Sequence, residues 1–284
     1  MLIVEQKKQT DALAHIKRNR TVAPSLTPDT DEQITVIDAD TQKPVLLYTS
    51  LTDHDDIIND LSRRLRFQKA KWTDPEGNRK YLDRLSGIGT NNIIFGHTAP
   101  DHVKQNYACR LSEVHHYAPS LANSMTSIIA PMWQLFQQHL PEQAAHHDSL
   151  VRNSIHSDWL LRDTPFTSGI CNHTSVLPYH CDAGNLNDTW SMMLSIRKNV
   201  GGGHLHIPEY NTLLPIEDRS VTIFNGQQHL HGVTPFVRLR KDAYRFTLVI
   251  YTKQAMRRCG CAKDESRRAA QAATTVTELK RNAT

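Results

Sequence analysis

Two short stretches hold residues whose types and spacing fit metal chemistry. In YHCDAGN, residues 179–185, His180 and Asp182 stand two positions apart. On an extended strand, positions i and i+2 project to the same face, so the imidazole and the carboxylate point together. In FNGQQHLHGVTPF, His229 and His231 repeat that spacing, and spacing alone leaves either as a partner. Two histidines and one carboxylate on one side of a first-row metal leave its other positions open, which suits oxygen chemistry at non-heme Fe(II).

A third stretch adds a cation. Period-two reading of AYRFTLVIYTK puts Arg245, Thr247, Val249 and Tyr251 on one face and Tyr244, Phe246, Leu248 and Ile250 on the other. The second face is core. The first carries a guanidinium inside an apolar strand, and a buried guanidinium needs an anion. A small dicarboxylate fits, because the guanidinium fork pairs with a carboxylate in bidentate geometry. An internal ion pair with Asp or Glu is the plainer alternative. A lone H-x-D is common by chance. The ordered set of H-x-D, a later histidine and Arg-x-Thr is far more specific, since each part meets one requirement of the same chemistry.

These residues need strands to position them. From about residue 166, short β-type segments follow one another at 167–174, 190–197, 203–207, 220–225, 230–236 and 244–252, separated by turns rich in Gly, Asn and Asp. An antiparallel sandwich or jelly roll is expected, with helices packed outside. Residues 34–48 read as two strands around a turn. A helix is expected after Thr52 or Asp53, with Ile57, Ile58, Leu61 and Leu65 on its apolar face. Its basic end holds Arg63, Arg64, Arg66, Lys69 and Lys71, read as a solvated face. Residues 119–140 have helical periodicity, and Pro131 is expected to kink that helix.

The 284 residues suit one large domain, and the 39% apolar content suffices for a packed core. The expected organisation is a polar arm at 1–32, an α/β part at 33–165, a β core at 166–260 and a polar helical tail at 261–284. No apolar run approaches the ~18 residues of a membrane span. The charged N-terminus does not read as a secretory signal, so a cytoplasmic setting with reduced thiols is expected for the five cysteines. Cys259 and Cys261 give only a weak hint of zinc. The net charge of +4 permits a polyanionic partner. Most of the sixteen histidines, including His115, His116, His146 and His147, read as surface. No P-loop, G-x-S-x-G or zinc-deaminase motif is present in the sequence.

The constellation resembles the 2-oxoglutarate and Fe(II)-dependent dioxygenases, and within them the TET/JBP branch that oxidises the 5-methyl group of pyrimidines in nucleic acid. HCDAGNLNDTWSMMLSI, LHGVTP, RFTLVIYTK and GGGHLHIPEY carry the likeness over roughly residues 166–260, with a fainter trace at Phe95-Gly96. The resemblance implies an α+β fold built on a double-stranded β-helix (jelly-roll, cupin-like) core. It implies His180, Asp182 and His231 as catalytic ligands of Fe(II), thereby choosing His231 over His229. It places Arg245 on the distal carboxylate of 2-oxoglutarate, with Thr247 beside it, and O2 as cosubstrate. Asn185 stands where the family hydrogen-bonds the target base, and Tyr251 where an aromatic ring stacks on it.

The implied reaction is hydroxylation of 5-methylcytosine in DNA to 5-hydroxymethylcytosine, with the base flipped out of the duplex and further oxidation open. Lys253 stands where animal members carry a histidine, which keeps a thymine hydroxylase on DNA, or a small-molecule methyl as substrate, in play. The compact build resembles phage or bacterial members, and a non-catalytic cupin-like module is the rival from another class. Asn172, on the strand entering the site, is a candidate contact to 2-oxoglutarate, and Arg84 and Arg110 are candidate second cations. Trp190 and Met192 are candidates for the base pocket, with core packing as the plainer reading.

Overall fold

The computed structural model describes residues 2–9, 16, 22, 32–68, 92–99, 108–173 and 176–281. The chain begins with strands β1 (Leu2–Gln6), β2 (Ile34–Asp38) and β3 (Pro44–Ser50), then helix α1 (Asp55–Gln68). Strands β4 (Asn92–Thr98) and β5 (Arg110–Leu111) precede four helices, α2 (Glu113–Tyr117), α3 (Pro119–Ser127), α4 (Ile129–His139) and α5 (Pro141–Ser154). Next come β6 (Ser168–His173), β7 (Ser191–Lys198), β8 (Val200–Gly202), β9 (Leu205–Ile207) and β10 (Thr212–Leu214). The last strands are β11 (Ser220–Phe224), β12 (Gly232–Val233), β13 (Phe236–Arg238) and β14 (Tyr244–Tyr251), followed by helix α6 (Ala262–Arg281).

One large sheet runs β1-β2-β3-β11-β7-β14-β6-β4-β5. A short sheet, β10-β9-β12, faces it, and β13-β8 forms a separate ribbon. This is the jelly-roll, double-stranded β-helix architecture expected, with the helices outside it. Alternation along each strand separates two environments. Met192, Leu194 and Ile196 of β7, with Phe246, Leu248 and Ile250 of β14, pack against Leu121, Met125, Ile129 and Phe136 of the helices. Full burial of each such side chain contributes about 1.5–3 kcal/mol. The opposite face looks towards the short sheet, where Leu46, Tyr48 and Phe224 meet Leu205, Ile207 and Val233. Between the sheets the packing opens into a cavity lined by residues of β6, β7 and β14.

Residues 119–140 form two helices, and the break falls at Ile128, not at Pro131. Pro131 sits in the first turn of α4, where a backbone N–H has no intrahelical acceptor to lose. Pro119 and Pro141 open α3 and α5 for the same reason. The helix from 55 to 68 forms as expected, with Asp55 and Asp56 in its first turn and Arg66 in its last. Lys69 and Lys71 lie outside the described residues.

Two expectations are corrected. His147 is fully buried, because both ring nitrogens are satisfied: Nδ1 accepts from the Trp190 N–H (3.0 Å) and Nε2 donates to the Pro165 carbonyl (2.9 Å). Burial pushes its pKa down to about 4, so it stays neutral. Cys109 and Cys259 form a disulfide, so two of the five cysteines are not reduced thiols and Cys259 is no zinc ligand. They are 150 residues apart, and only the fold brings them together. Among the described residues, no helix is long and apolar enough to cross a membrane.

Candidate active site

His180 and His231 form an isolated antiparallel bridge: His180 N donates to His231 O (2.8 Å), and His231 N to His180 O (2.9 Å). Asp182 N donates to the Gly226 carbonyl (2.9 Å), which draws the H-x-D segment onto the turn leading to His231. The ligand atoms of His180, Asp182 and His231 all lie within 4.8 Å of one another. The Nε2 atoms of His180 and His231 stand 3.7 and 3.8 Å from Asp182 Oδ1. Each Nδ1 donates to a backbone carbonyl, His180 to Pro178 (2.8 Å) and His231 to His229 (2.9 Å). Those bonds turn both Nε2 lone pairs inward, the usual means of aiming imidazole ligands. Burial pushes the His231 pKa down to about 4, so its ring is ready to coordinate without losing a proton first.

His229 does not share this face. Its Nδ1 donates to Glu209 Oε2 (3.2 Å), away from the cluster. None of these four residues lies on a regular strand, and the two-residue alternation is kept between His180 and Asp182 but lost between His229 and His231.

Gly226 is tied to the same cluster. A Cβ built there would lie 2.3 Å from Asp182 Oδ2, 3.1 Å from its Cγ and 3.4 Å from His231 Cε1. The only group able to yield is the carboxylate itself, so Gly226→Ala should damage metal binding and not the fold. We expect Co(II) affinity to fall roughly 10–100-fold, the range seen when support around a ligand is removed, with the unfolding midpoint of metal-free protein little changed. Wild-type affinity in a Co(II) titration of this variant would show that Asp182 can move at no cost.

The cavity beside the cluster has a volume of about 410 Å³, within the range of small-molecule sites. Arg245 lines it and is 2% exposed, with Nη2 donating to the Gly203 carbonyl (3.4 Å) and the Phe236 ring 5.5 Å from its guanidinium carbon. Burial, then the charge of neighbouring Arg197, lowers its pKa to about 10, and it remains a cation at neutral pH. Arg197 is its cross-strand partner, but that guanidinium is taken up by the carbonyls of Val200, Gly202 and Ile216. Gly203, at φ +74°, allows the chain close to Arg245, since a Cβ there would lie 3.0 Å from Nε.

Thr247 and Asn172 are register partners across β14 and β6, Asn92 of β4 continues the row, and all three line the cavity. On the other side of Thr247, Ser195 is buried with an Oγ that has no hydrogen-bond partner among the described residues. Two imidazoles, one carboxylate, a buried cation and a row of short polar side chains fit a divalent metal and a dicarboxylate in one chamber.

The remaining wall is built from the metal loop and the end of β14. Asn185 and Lys253 form a bridge, and both line the cavity with Tyr251. Asn185 Nδ2 donates to Ser191 Oγ (3.0 Å) and Asp182 Oδ2 (3.3 Å), so Asn185 braces the Asp182 carboxylate. Burial, then the Asp182 charge, pushes the Tyr251 pKa up to about 12 and keeps its hydroxyl protonated. Gln227 Nε2 donates to Asn185 O (3.1 Å) and Asn187 Oδ1 (2.8 Å), and Gln228 Nε2 donates to Asp188 Oδ1 (2.8 Å).

Other candidates lie elsewhere. Trp190 and Met192 belong to the helix-side core, while Ser191 and Met193, one position on, face the cavity, as period two dictates. Arg110 is exposed on β5 and does not line the cavity. Arg84 lies outside the described residues. Asn92, Met193, Gln227 and Gln228 were missed. No local motif marks them, and only strand pairing or turn geometry brings them to the site.

Comparisons with known proteins come to the same place. The family model Tet_JBP, described as the oxygenase domain of the 2OGFeDO superfamily, matches residues 97–254, more than half of the chain. No curated protein matches. Among solved structures, NgTET1 in complex with 5mC DNA is 12% identical, with a TM-score of 0.57 over 88% of this chain and 89% of that one. A putative 2OG-Fe(II) oxygenase family protein from Caulobacter crescentus is 13% identical, with a TM-score of 0.44 over 73% and 77%. The viral collagen prolyl hydroxylase vCPH from Paramecium Bursaria Chlorella virus-1 is 10% identical, with a TM-score of 0.40 over 82% and 100%. With that family match over the segments that carry the cluster and Arg245, the chain belongs to the Tet_JBP family and is an oxygenase of the 2-oxoglutarate and Fe(II)-dependent superfamily.

Proposed function

We propose that the chain hydroxylates the 5-methyl group of 5-methylcytosine in DNA. The observation that carries the reading is a single chamber. It has His180, Asp182 and His231 on one wall, Arg245 buried in another, and Asn185, Tyr251 and Lys253 around the rest. Fe(II) held by the triad, with 2-oxoglutarate and O2, supplies the oxidising power for a methyl C–H bond, yielding succinate, CO2 and a hydroxymethyl group. Arg245, with Thr247 and Asn172 beside it, holds the distal carboxylate of the keto-acid and fixes which end faces the metal ligands. Met193, Phe224 and Val233 add apolar surface to the same chamber.

A base stacked in a duplex cannot reach a chamber between two sheets, so the target nucleotide enters flipped. Tyr251 offers it a ring, and Asn185, locked by Ser191 and Gln227, offers a fixed amide. NgTET1, which shares the fold, was solved with 5mC DNA, and this supports a nucleic-acid substrate.

Lys253 favours thymine as the second reading. An ammonium only donates; thymine presents O4 where cytosine presents an amino group that also donates. Incubation with Fe(II), 2-oxoglutarate and DNA, with or without 5-methylcytosine, followed by nucleoside mass spectrometry, tests both. We expect 5-hydroxymethylcytosine with matching succinate. Oxidised thymidine in the unmodified DNA would replace the first reading by the second. Absence of succinate with every DNA would remove both in favour of a small-molecule methyl.

A further inference from the structure

We infer that Glu209 is a positioning residue for the metal site, a carboxylate clamp that fixes His231 without touching the metal. The inference rests on the metal reading above. Its origin is topological. β9 pairs with β12, His206 opposite Gly232 and Leu205 opposite Val233. The chain leaving β9 therefore runs beside the chain entering β12, which carries His229, Leu230 and His231. Pro208–Tyr210 make one 3-10 turn there, and it places Glu209 at 3% exposure.

Glu209 Oε1 accepts from the Leu230 N–H (3.0 Å), and Oε2 from His229 Nδ1 (3.2 Å). One carboxylate thus grips the two residues that precede the ligand. The His229 carbonyl accepts from His231 Nδ1 (2.9 Å) and sets the direction of Nε2. Glu209 is itself held firmly. Lys8 Nζ stands 3.6 Å from Oε2, Gln9 N donates to the Glu209 carbonyl (2.7 Å), and the next residue, Tyr210, donates to Asp38 Oδ2 (2.9 Å). A buried carboxylate is costly without partners, and here every partner lies on the ligand turn or braces the clamp from behind. No other part of the proposed reaction uses this residue.

The test is a Co(II) titration of the full chain, read by its visible d–d absorption, with circular dichroism to follow folding. Glu209→Ala should bind Co(II) roughly 10–100-fold more weakly, the range for lost outer-sphere support, with an altered spectrum. Glu209→Gln should restore affinity and spectrum, because its carbonyl still accepts from Leu230 and its amide can donate to the other tautomer of His229. Glu209→Ala with wild-type affinity and spectrum would overturn the clamp. Equal losses in Ala and Gln would also overturn it, by showing that negative charge and not hydrogen-bond geometry matters. Should Glu209→Ala fail to fold, Glu209→Asp, one methylene shorter, carries the test: weaker binding with a changed spectrum supports the clamp, and wild-type values refute it. Wild-type protein that binds no Co(II) would instead sink the metal reading, and the clamp with it.

Discussion

His231→Ala is expected to abolish metal binding and 2-oxoglutarate turnover, while His229→Ala should keep most of both. The two histidines are two residues apart, so the contrast isolates geometry from composition. His231 Nε2 lies 3.8 Å from Asp182 Oδ1, inside the cluster, and its removal leaves two ligands where three converged. The loss should exceed the roughly 10–100-fold typical of outer-sphere partners. His229 contributes mainly its carbonyl, which an alanine retains, and Glu209 still accepts from the Leu230 N–H. Succinate formation and Co(II) titration, run in parallel on both variants, check this. Equal loss in both would mean that the imidazole of His229, and not its backbone, serves the site.

Arg245→Ala should raise the concentration of 2-oxoglutarate needed for half-maximal turnover by far more than it alters metal binding. Removing one member of a buried, hydrogen-bonded charge pair costs about 2–5 kcal/mol, which corresponds to roughly 30-fold to several thousandfold in affinity. Arg245→Lys should not rescue it, since an ammonium lacks the planar fork that meets both carboxylate oxygens. The metal-free protein should tolerate the change, because Arg245 and Arg197 are like charges on paired strands. Titration of 2-oxoglutarate with a succinate readout decides the matter. An unchanged half-saturation value would place the distal carboxylate elsewhere in the cavity.

The sequence displayed the chemistry more clearly than the scaffold. H-x-D and Arg-x-Thr were legible because two-residue alternation is a local property. The β14 reading holds on both faces, with Phe246, Leu248 and Ile250 in the core and Arg245, Thr247, Val249 and Tyr251 on the cavity. The same rule failed at His229 and His231, because the segment between β11 and β12 is a turn in which Glu209, twenty residues back, captures one ring. Strands β2 and β3 were legible as strands, but β1 lies in the stretch read as a polar arm, and the joining of all three to the large sheet through β3 and β11 was not legible, since pairing partners lie far apart in the chain. His147 and the Cys109–Cys259 pair were misread for the same reason: polarity is local, but satisfaction of a buried polar group or thiol depends on what the fold brings to it.

One crossing, residues 225–231, between β11 and β12, takes on several duties at once. It receives the Asp182 backbone, leaves space for that carboxylate, steadies Asn185 and delivers His231. Lengthening or shortening it by a residue would therefore disturb the His180–Asp182–His231 cluster and Asn185 at once. On the proposed reading, retuning of which pyrimidine is accepted has freer scope at the far end of β14. There Lys253 lines the same chamber, tied by a β-bridge to Asn185 but outside the segments that carry His180, Asp182 and His231 themselves.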